Sequence, residues 1–184
     1  MTSKIEDDDL TLYAAIGRVA SQSANLDDTL RNLLHDLVGI SDEVWVLFEG
    51  QSTDWLVNSC RAVFKVTGPS YHWSADLRDR VAQLLARIDS LRRQRNIVIH
   101  GVWSRQCFYR HDEEKHCISR PNDLKDDSET YYFMRSNQRK IFEEAHLSVA
   151  DIESLAQDIL QANLGIWELR KQANRQRHYD ETVD

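Results

Sequence analysis

The chain has 184 residues, a hydrophobic fraction of 41% and a formal net charge of −7, which predicts one domain with a sizeable core and excludes a chain that is disordered throughout. The absence of any run of 18 apolar residues argues against a membrane span. The acidic first nine residues lack the apolar stretch that is typical of a signal peptide.

The first predicted helix covers residues 8–38, and Gly39 is its predicted end. Its apolar positions recur at helical spacing, and they are Leu10, Tyr13, Ile16, Ala20, Ala24, Leu30, Leu33, Leu34 and Leu37. One side of this helix is small, with Gly17, Ala20, Ser21 and Ala24. Small side chains allow another helix to approach closely, either within the fold or across a dimer.

Two further helices are predicted before residue 101. Residues 53–66 form the second, with Ser52 or Thr53 as its N-cap. The third begins after a Ser74 cap and ends at Gly101. It carries an apolar row at alternating steps of four and three residues, namely Leu77, Val81, Leu84, Ile88, Leu91, Arg95 and Val98. Arg95 is the charged member of this row.

The pattern then changes to short aromatic segments that predict strands at 106–110, 130–135 and 140–147. Ser148 and Asp151 resemble a capping box that begins a last helix, and residues 171–184 predict a flexible tail. The expected fold is therefore mainly α, a single domain of four to five helices with a small antiparallel β insertion at about 104–147.

Arg95, Asn96 and His100 at the end of the third helix are the strongest candidates for a functional site. A charged residue in an apolar row destabilises the fold unless it has a partner, so it indicates function or an interface. Arginine binds a phosphate with two hydrogen bonds, and histidine exchanges protons near neutral pH. Asparagine can orient the histidine or the substrate. These side chains suit a phosphodiester.

This arrangement resembles the HEPN superfamily (higher eukaryotes and prokaryotes nucleotide-binding), a family of α-helical bundles. Its signature is an arginine, four to six residues and a histidine, and a polar residue commonly follows the arginine. Arg95, Asn96 and His100 match it. The resemblance covers about residues 8–103 and the last helix, while the β insertion departs from the simplest bundle.

The resemblance implies a metal-independent endoribonuclease of the kind that serves as a toxin or defence effector, works as a homodimer with a composite site and needs no cofactor. His100 would be the acid and base, Arg95 would stabilise phosphate charge, and Asn96 would position a partner. The partners would be RNA and an antitoxin or sensor protein. The alternative is a catalytically inactive HEPN module for dimerisation and for nucleotide, RNA or protein binding.

The spacing alone is unspecific, because Arg105–His111, Arg110–His116 and Arg139–His146 also satisfy it. These three pairs lie in the predicted insertion, whereas Arg95 interrupts an apolar row and His100 ends a helix. The motif also lies in a basic stretch, residues 78–110, which holds eight arginines and two acids. Arg92, Arg93 and Arg105 from this stretch are predicted to bind substrate. An ordinary solvated helix face is the other interpretation.

The three cysteines, an odd number, favour free thiols in the reducing environment of the cytoplasm. Cys60 lies on an apolar helix face and is expected in the core. Cys107, His111, His116 and Cys117 offer four ligands for zinc. Their spacing lacks the two-residue knuckle of common zinc sites, so no metal is expected.

The acidic residues 112–129 are predicted to be a solvated loop, or a segment that covers the basic stretch.

Overall fold

The computed structural model describes residues 2–38, 46–67, 73–104, 130–136 and 142–180. These residues form, in chain order, α1 (Thr2–Val38), α2 (Thr53–Thr67), α3 (Ala75–His100), β1 (Val102–Ser104), β2 (Thr130–Ser136), β3 (Phe142–Ser148) and α4 (Val149–Asp180). The protein is thus mainly α, as the sequence predicts. None of the helices in this part of the chain has an apolar stretch long enough to cross a bilayer.

Serine side chains fix where three of the helices begin. The Ser52 hydroxyl accepts a hydrogen bond from the Trp55 N–H at 3.2 Å, and the Ser74 hydroxyl accepts one from the Leu77 N–H, also at 3.2 Å. At α4 the cap is reciprocal. The Asp151 N–H donates to the Ser148 hydroxyl at 3.1 Å, and the Ser148 N–H donates to the Asp151 carboxylate at 2.8 Å. The predicted caps at Ser52, Ser74 and Ser148 are confirmed.

Two helices are longer than their apolar patterns. Helix α1 begins at Thr2, six residues before the predicted start at residue 8, and α4 continues to Asp180, into the predicted tail. The α4 extension, residues 171–180, is rich in lysine, glutamine, arginine and alanine, which are strong helix formers. Its helix formation follows intrinsic propensity, which an apolar pattern does not report. Neither extension contains glycine or proline.

The described residues form two compact units. The helical unit comprises Ser21–Arg93 and Gln157–Asp184, and the sheet unit comprises Met1–Ala20 and Gln94–Ala156. Helices α1, α3 and α4 contribute residues to both.

Four helices pack together within the helical unit. The Thr53 hydroxyl of α2 donates to the Asp27 carboxylate of α1 at 2.7 Å, and Arg61 of α2 donates to the Leu85 carbonyl of α3 at 3.1 Å. Helices α3 and α4 approach each other closely at Gly165. A methyl group added there would lie 3.3 Å from the Leu84 side chain. These contacts join α1 to α2, α2 to α3 and α3 to α4.

An apolar core fills this unit. From its predicted row, helix α3 buries Leu77, Val81, Ile88 and Leu91 in this unit. The prediction of Leu84 is wrong, because Leu84 is half-buried and its neighbour Leu85 is buried instead. Cys60 of α2 is fully buried, as expected, and burial raises the pKa of its thiol to about 12. A thiol with such a pKa is protonated at neutral pH and therefore a poor nucleophile.

The sheet unit contains a three-stranded antiparallel sheet with the strand order β1-β2-β3. Val102 pairs with Met134, and Tyr131 pairs with Leu147. The insertion therefore begins at 102 and ends at 148, close to the predicted 104–147. The predicted strand at 106–110, the acidic loop and the Gly39 cap lie outside the described residues.

The predicted apolar face of the first half of α1 is wrong. Leu12, Ala15 and Val19 are buried there, whereas Leu10 and Tyr13 are exposed at 64% and 65%. Residues 10–20 are apolar on two opposite sides, and spacing alone does not reveal which side meets the core. The second half of the prediction, Leu30, Leu33, Leu34 and Leu37, is confirmed.

The reciprocal cap of α4 predicts a measurable loss when its serine is removed. We expect Ser148→Ala to lower the free energy of unfolding by about 1 kcal/mol, because two N–H groups lose their partners or their geometry. Urea denaturation followed by circular dichroism measures this. Ser154→Ala, at an exposed interior position of α4, is the control and is expected to leave stability unchanged or slightly higher. Equal stabilities of both variants would contradict the role of the cap.

Candidate functional site

The last two turns of α3 place Arg95, Asn96 and His100 in the sheet unit. Two hydrogen bonds fix this helix end. The Gly101 N–H donates to the Ile97 carbonyl at 3.0 Å, and the Trp103 indole N–H donates to the Val98 carbonyl at 3.0 Å. Because Trp103 belongs to β1, the sheet and the helix end are tied together.

Arg95 is partly buried, as its place in the apolar row of α3 predicts. It lies between buried Leu91 and buried Val98 in the row and is itself half-buried. One guanidinium nitrogen, Nη1, donates to Asn96 Oδ1 at 3.1 Å. Its Nε is buried and has no hydrogen-bond partner among the described residues. No carboxylate in that part of the chain lies within ion-pair distance of it. The positive charge of Arg95 is therefore not neutralised by these residues.

Asn96 and His100 lie one turn apart on α3. Asn96 is half-buried and gives its oxygen to Arg95, so its amide N–H groups remain as donors. His100 is exposed in the last turn of α3. An unneutralised guanidinium, an amide donor and an exposed imidazole together can bind an anion and exchange a proton with it.

The predicted substrate-binding residues Arg92 and Arg93 have a different environment. Both pair with Asp89, Arg92 at 2.9 Å and Arg93 at 2.7 Å, and Arg92 also pairs with Asp54 of α2 at 3.0 Å. Hydrogen bonds from Arg93 and Arg92 hold the pKa of the Asp89 carboxyl below its ordinary value. These two arginines belong to the helical unit and connect α3 to α2. Arg105 lies outside the described residues.

The basic stretch is thus partly neutralised by acids of other helices. Arg87 of α3 pairs with Asp158 of α4 at 2.7 Å, just as Arg92 pairs with Asp54. Sequence reasoning missed these partners because Asp54 and Asp158 are 38 and 71 residues away along the chain. The pairing of Asp89 with Arg92 and Arg93 could have been predicted from the sequence. These arginines lie three and four residues after Asp89, and residues at those spacings are neighbours on a helix.

A surface groove in the helical unit, about 290 Å³ in volume, is lined by Arg80, Gln83, Leu84, Arg87, Gly165 and Leu169. Its arginines already have acidic partners, since Arg80 lies 4.0 Å from the Asp76 carboxylate and Arg87 is paired with Asp158. This groove therefore offers an anion less positive charge than the end of α3.

The described residues contain no group of three or more histidines, cysteines or acids that could hold a metal ion. The zinc candidates Cys107, His111, His116 and Cys117 lie outside these residues. The three other arginine–histidine pairs also fall there, apart from the backbone of His146 in β3.

Comparison with known proteins gives no relative: no family model, no curated protein and no solved structure matches the chain. The residues of the site therefore carry the functional argument by themselves.

The Asp89 contacts predict a pH-dependent contribution to stability. We expect Asp89→Asn to lower the free energy of unfolding at pH 7 by about 1–2 kcal/mol, because Arg92 and Arg93 lose a charged partner. The folded-state pKa of Asp89 lies below its unfolded value, so this difference is complete above the ordinary aspartate pKa of about 3.9 and shrinks as the pH falls below it. Urea titrations between pH 2.5 and 7 measure it. Asp79→Asn, at an exposed acid of the same helix, is the control. A difference that does not change with pH would contradict the ion pairs.

The environment of Arg95 predicts that this residue destabilises the fold. We expect Arg95→Met to raise the free energy of unfolding by about 1 kcal/mol, because methionine fills the row without burying an unsatisfied N–H group. The matched control is Arg92→Met, which breaks two ion pairs and should lower stability. Chemical denaturation of both variants measures the two signs. A large loss in Arg95→Met would instead assign this arginine a structural role.

Proposed function

We propose that the chain is a metal-independent endoribonuclease of the HEPN type, with Arg95, Asn96 and His100 as its site. The observation that carries this proposal is the charge of Arg95, which no carboxylate of the described residues neutralises, at the helix end that also exposes His100. A half-buried arginine without an anionic partner suits a phosphate that arrives with the substrate.

The chemistry follows from these groups. The ribose 2′-oxygen attacks the adjacent phosphorus, the bond from phosphorus to the 5′-oxygen breaks, and a 2′,3′-cyclic phosphate remains. A base removes the proton of the 2′-hydroxyl, and an acid protonates the leaving 5′-oxygen. Arg95 stabilises the additional negative charge on the phosphate. Asn96 holds the guanidinium through its oxygen, and its N–H groups donate to the substrate.

A homodimer fits the need for both a base and an acid. Each chain supplies one His100, so a cleft formed by two chains contains one imidazole for each proton transfer. Within the same proposal the enzyme works in the cytoplasm as a toxin or defence effector. An antitoxin or sensor protein would then control its activity.

A second candidate is a catalytically inactive HEPN module that dimerises and binds a nucleotide, RNA or protein. The ion pairs of Arg92 and Arg93 favour this candidate, since they reduce the positive charge available to a nucleic acid. The net charge of −7 points the same way. The two candidates share the site and differ in whether His100 transfers a proton.

RNA cleavage separates the two candidates. We expect the wild-type protein to cleave total RNA in the presence of EDTA and to leave 2′,3′-cyclic phosphate ends. His100→Ala should lose activity by 100-fold or more, the usual scale of acid–base catalysis by one side chain. Gel analysis and end-group chemistry of the fragments measure both.

The matched control is His35→Ala, which removes the histidine from the last turn of α1. Wild-type activity is expected to persist in this variant. Equal cleavage by wild type and His100→Ala would indicate a contaminating nuclease. RNA binding without cleavage, weakened by Arg95→Met, would favour the inactive module.

A further inference from the structure

Helix α3 passes into the sheet through a single residue, Gly101. The helix ends at His100, and β1 begins at Val102. In a continuous helix the Val98 carbonyl would accept the N–H of residue 102, but Val102 already belongs to β1. The indole N–H of Trp103 takes that place and donates to the Val98 carbonyl at 3.0 Å. Trp103 is therefore a side-chain cap that the first strand of the insertion supplies to α3.

His100 lies inside both hydrogen bonds that close this helix end. The bond from the Gly101 N–H to the Ile97 carbonyl spans residues 97–101, and the indole bond spans residues 98–103. The His100 side chain is exposed, so packing does little to fix its imidazole. The direction in which the imidazole projects therefore depends on its backbone, which these two bonds hold.

Arg95 and Asn96 lie outside both of these bonds. They belong to the interior of α3, before the last turn, and the hydrogen bond from Arg95 Nη1 to Asn96 Oδ1 at 3.1 Å connects their side chains. Loss of the indole bond would thus loosen the backbone of His100 and leave the two anion-binding side chains in place.

The sheet fixes the indole from outside the helix. Trp103 is half-buried and is the central residue of β1, where it pairs with Phe133 of β2. Phe133 in turn pairs with Ala145 of β3. An indole nitrogen donates and does not accept, so it suits a backbone carbonyl at the end of a helix. The position of the cap is therefore set by the strands of the insertion.

We propose that Trp103 is a positioning residue of the site: its indole N–H holds the turn that carries His100 and so directs the imidazole to the phosphate that Arg95 binds. This inference rests on the proposed function for the reaction in which His100 takes part. A catalytic acid or base acts only within hydrogen-bond reach of its proton, and a misplacement of about 1 Å can lower a rate about 100-fold. The β insertion then has a role in the site, because it supplies the cap.

The first test removes the indole N–H without changing the shape of the side chain. Benzothienylalanine, in which sulfur replaces the N–H group, is introduced at position 103 by stop-codon suppression. We expect kcat for RNA cleavage to fall about tenfold and KM to stay within about twofold of the wild type, because Arg95 and Asn96 keep their places. Fluorotryptophan at position 103 retains the N–H and should restore the wild-type kcat. Benzothienylalanine at the exposed Trp167 of α4 is the matched control and should leave both constants unchanged.

Amide hydrogen exchange by NMR tests the same inference without any cleavage. In the benzothienylalanine variant at position 103 the Gly101 amide should exchange about fivefold faster than in the wild type, because the turn opens more often. The Asn96 amide, which lies before this turn, should exchange at its wild-type rate. Fluorotryptophan at position 103 should restore slow exchange at Gly101, and circular dichroism checks that the fold is retained.

The inference would be overturned by equal Gly101 exchange in the wild type and the benzothienylalanine variant. An unchanged kcat, or a rise in KM as large as the fall in kcat, would overturn it as well. RNA cleavage by the wild type is scored separately. A wild type that does not cleave RNA refutes the proposed activity, and the exchange of the Gly101 amide alone then decides whether Trp103 holds the turn of His100.

Discussion

The structure depends on the burial of one apolar row along α3. Leu77, Val81, Leu85, Ile88 and Leu91 are almost completely removed from water in the helical unit. Each such side chain contributes about 1.5–3 kcal/mol relative to an exposed one, before the entropy of ordering the chain is counted. The other contacts of α3 are arranged around this row: Arg61 reaches the Leu85 carbonyl, and Arg92 pairs with Asp54 at the edge. The polar contacts select which helices meet, while the row contributes apolar burial from α3 to the core.

Arg95 continues this row into the sheet unit, where a charged residue occupies an apolar position. A leucine at this position would add to the core, whereas the guanidinium buries one N–H group without a partner among the described residues. Residues that destabilise a fold at a specific position are common at functional sites, where the substrate completes the missing interactions. The Asn96 contact holds the guanidinium in place. In the proposed function, stability and substrate binding therefore make opposite demands on this position of α3.

The arginines near this helix end show why charge counts in a sequence are weak evidence for a binding surface. Residues 78–110 hold eight arginines and two acids, which suggests a positively charged surface. Arg87 and Arg92 nevertheless form ion pairs with Asp158 and Asp54, which lie on other helices. What distinguishes Arg95 from these neighbours is its missing counter-ion among the described residues, and this is a property of the packed structure.

The sequence by itself determined the mainly α class, the serine caps, the α3 row and the antiparallel insertion, because local hydrogen bonds and periodic burial govern these features. It also singled out Arg95, which breaks a local rule. Only the tertiary structure decided which side of α1 is buried, since residues 10–20 are apolar on both sides and the choice depends on neighbouring elements. The same holds for the ion pairs of the basic stretch, whose partners are distant along the chain. Spacing along one helix reports local geometry, whereas burial and charge pairing depend on residues that only folding brings together.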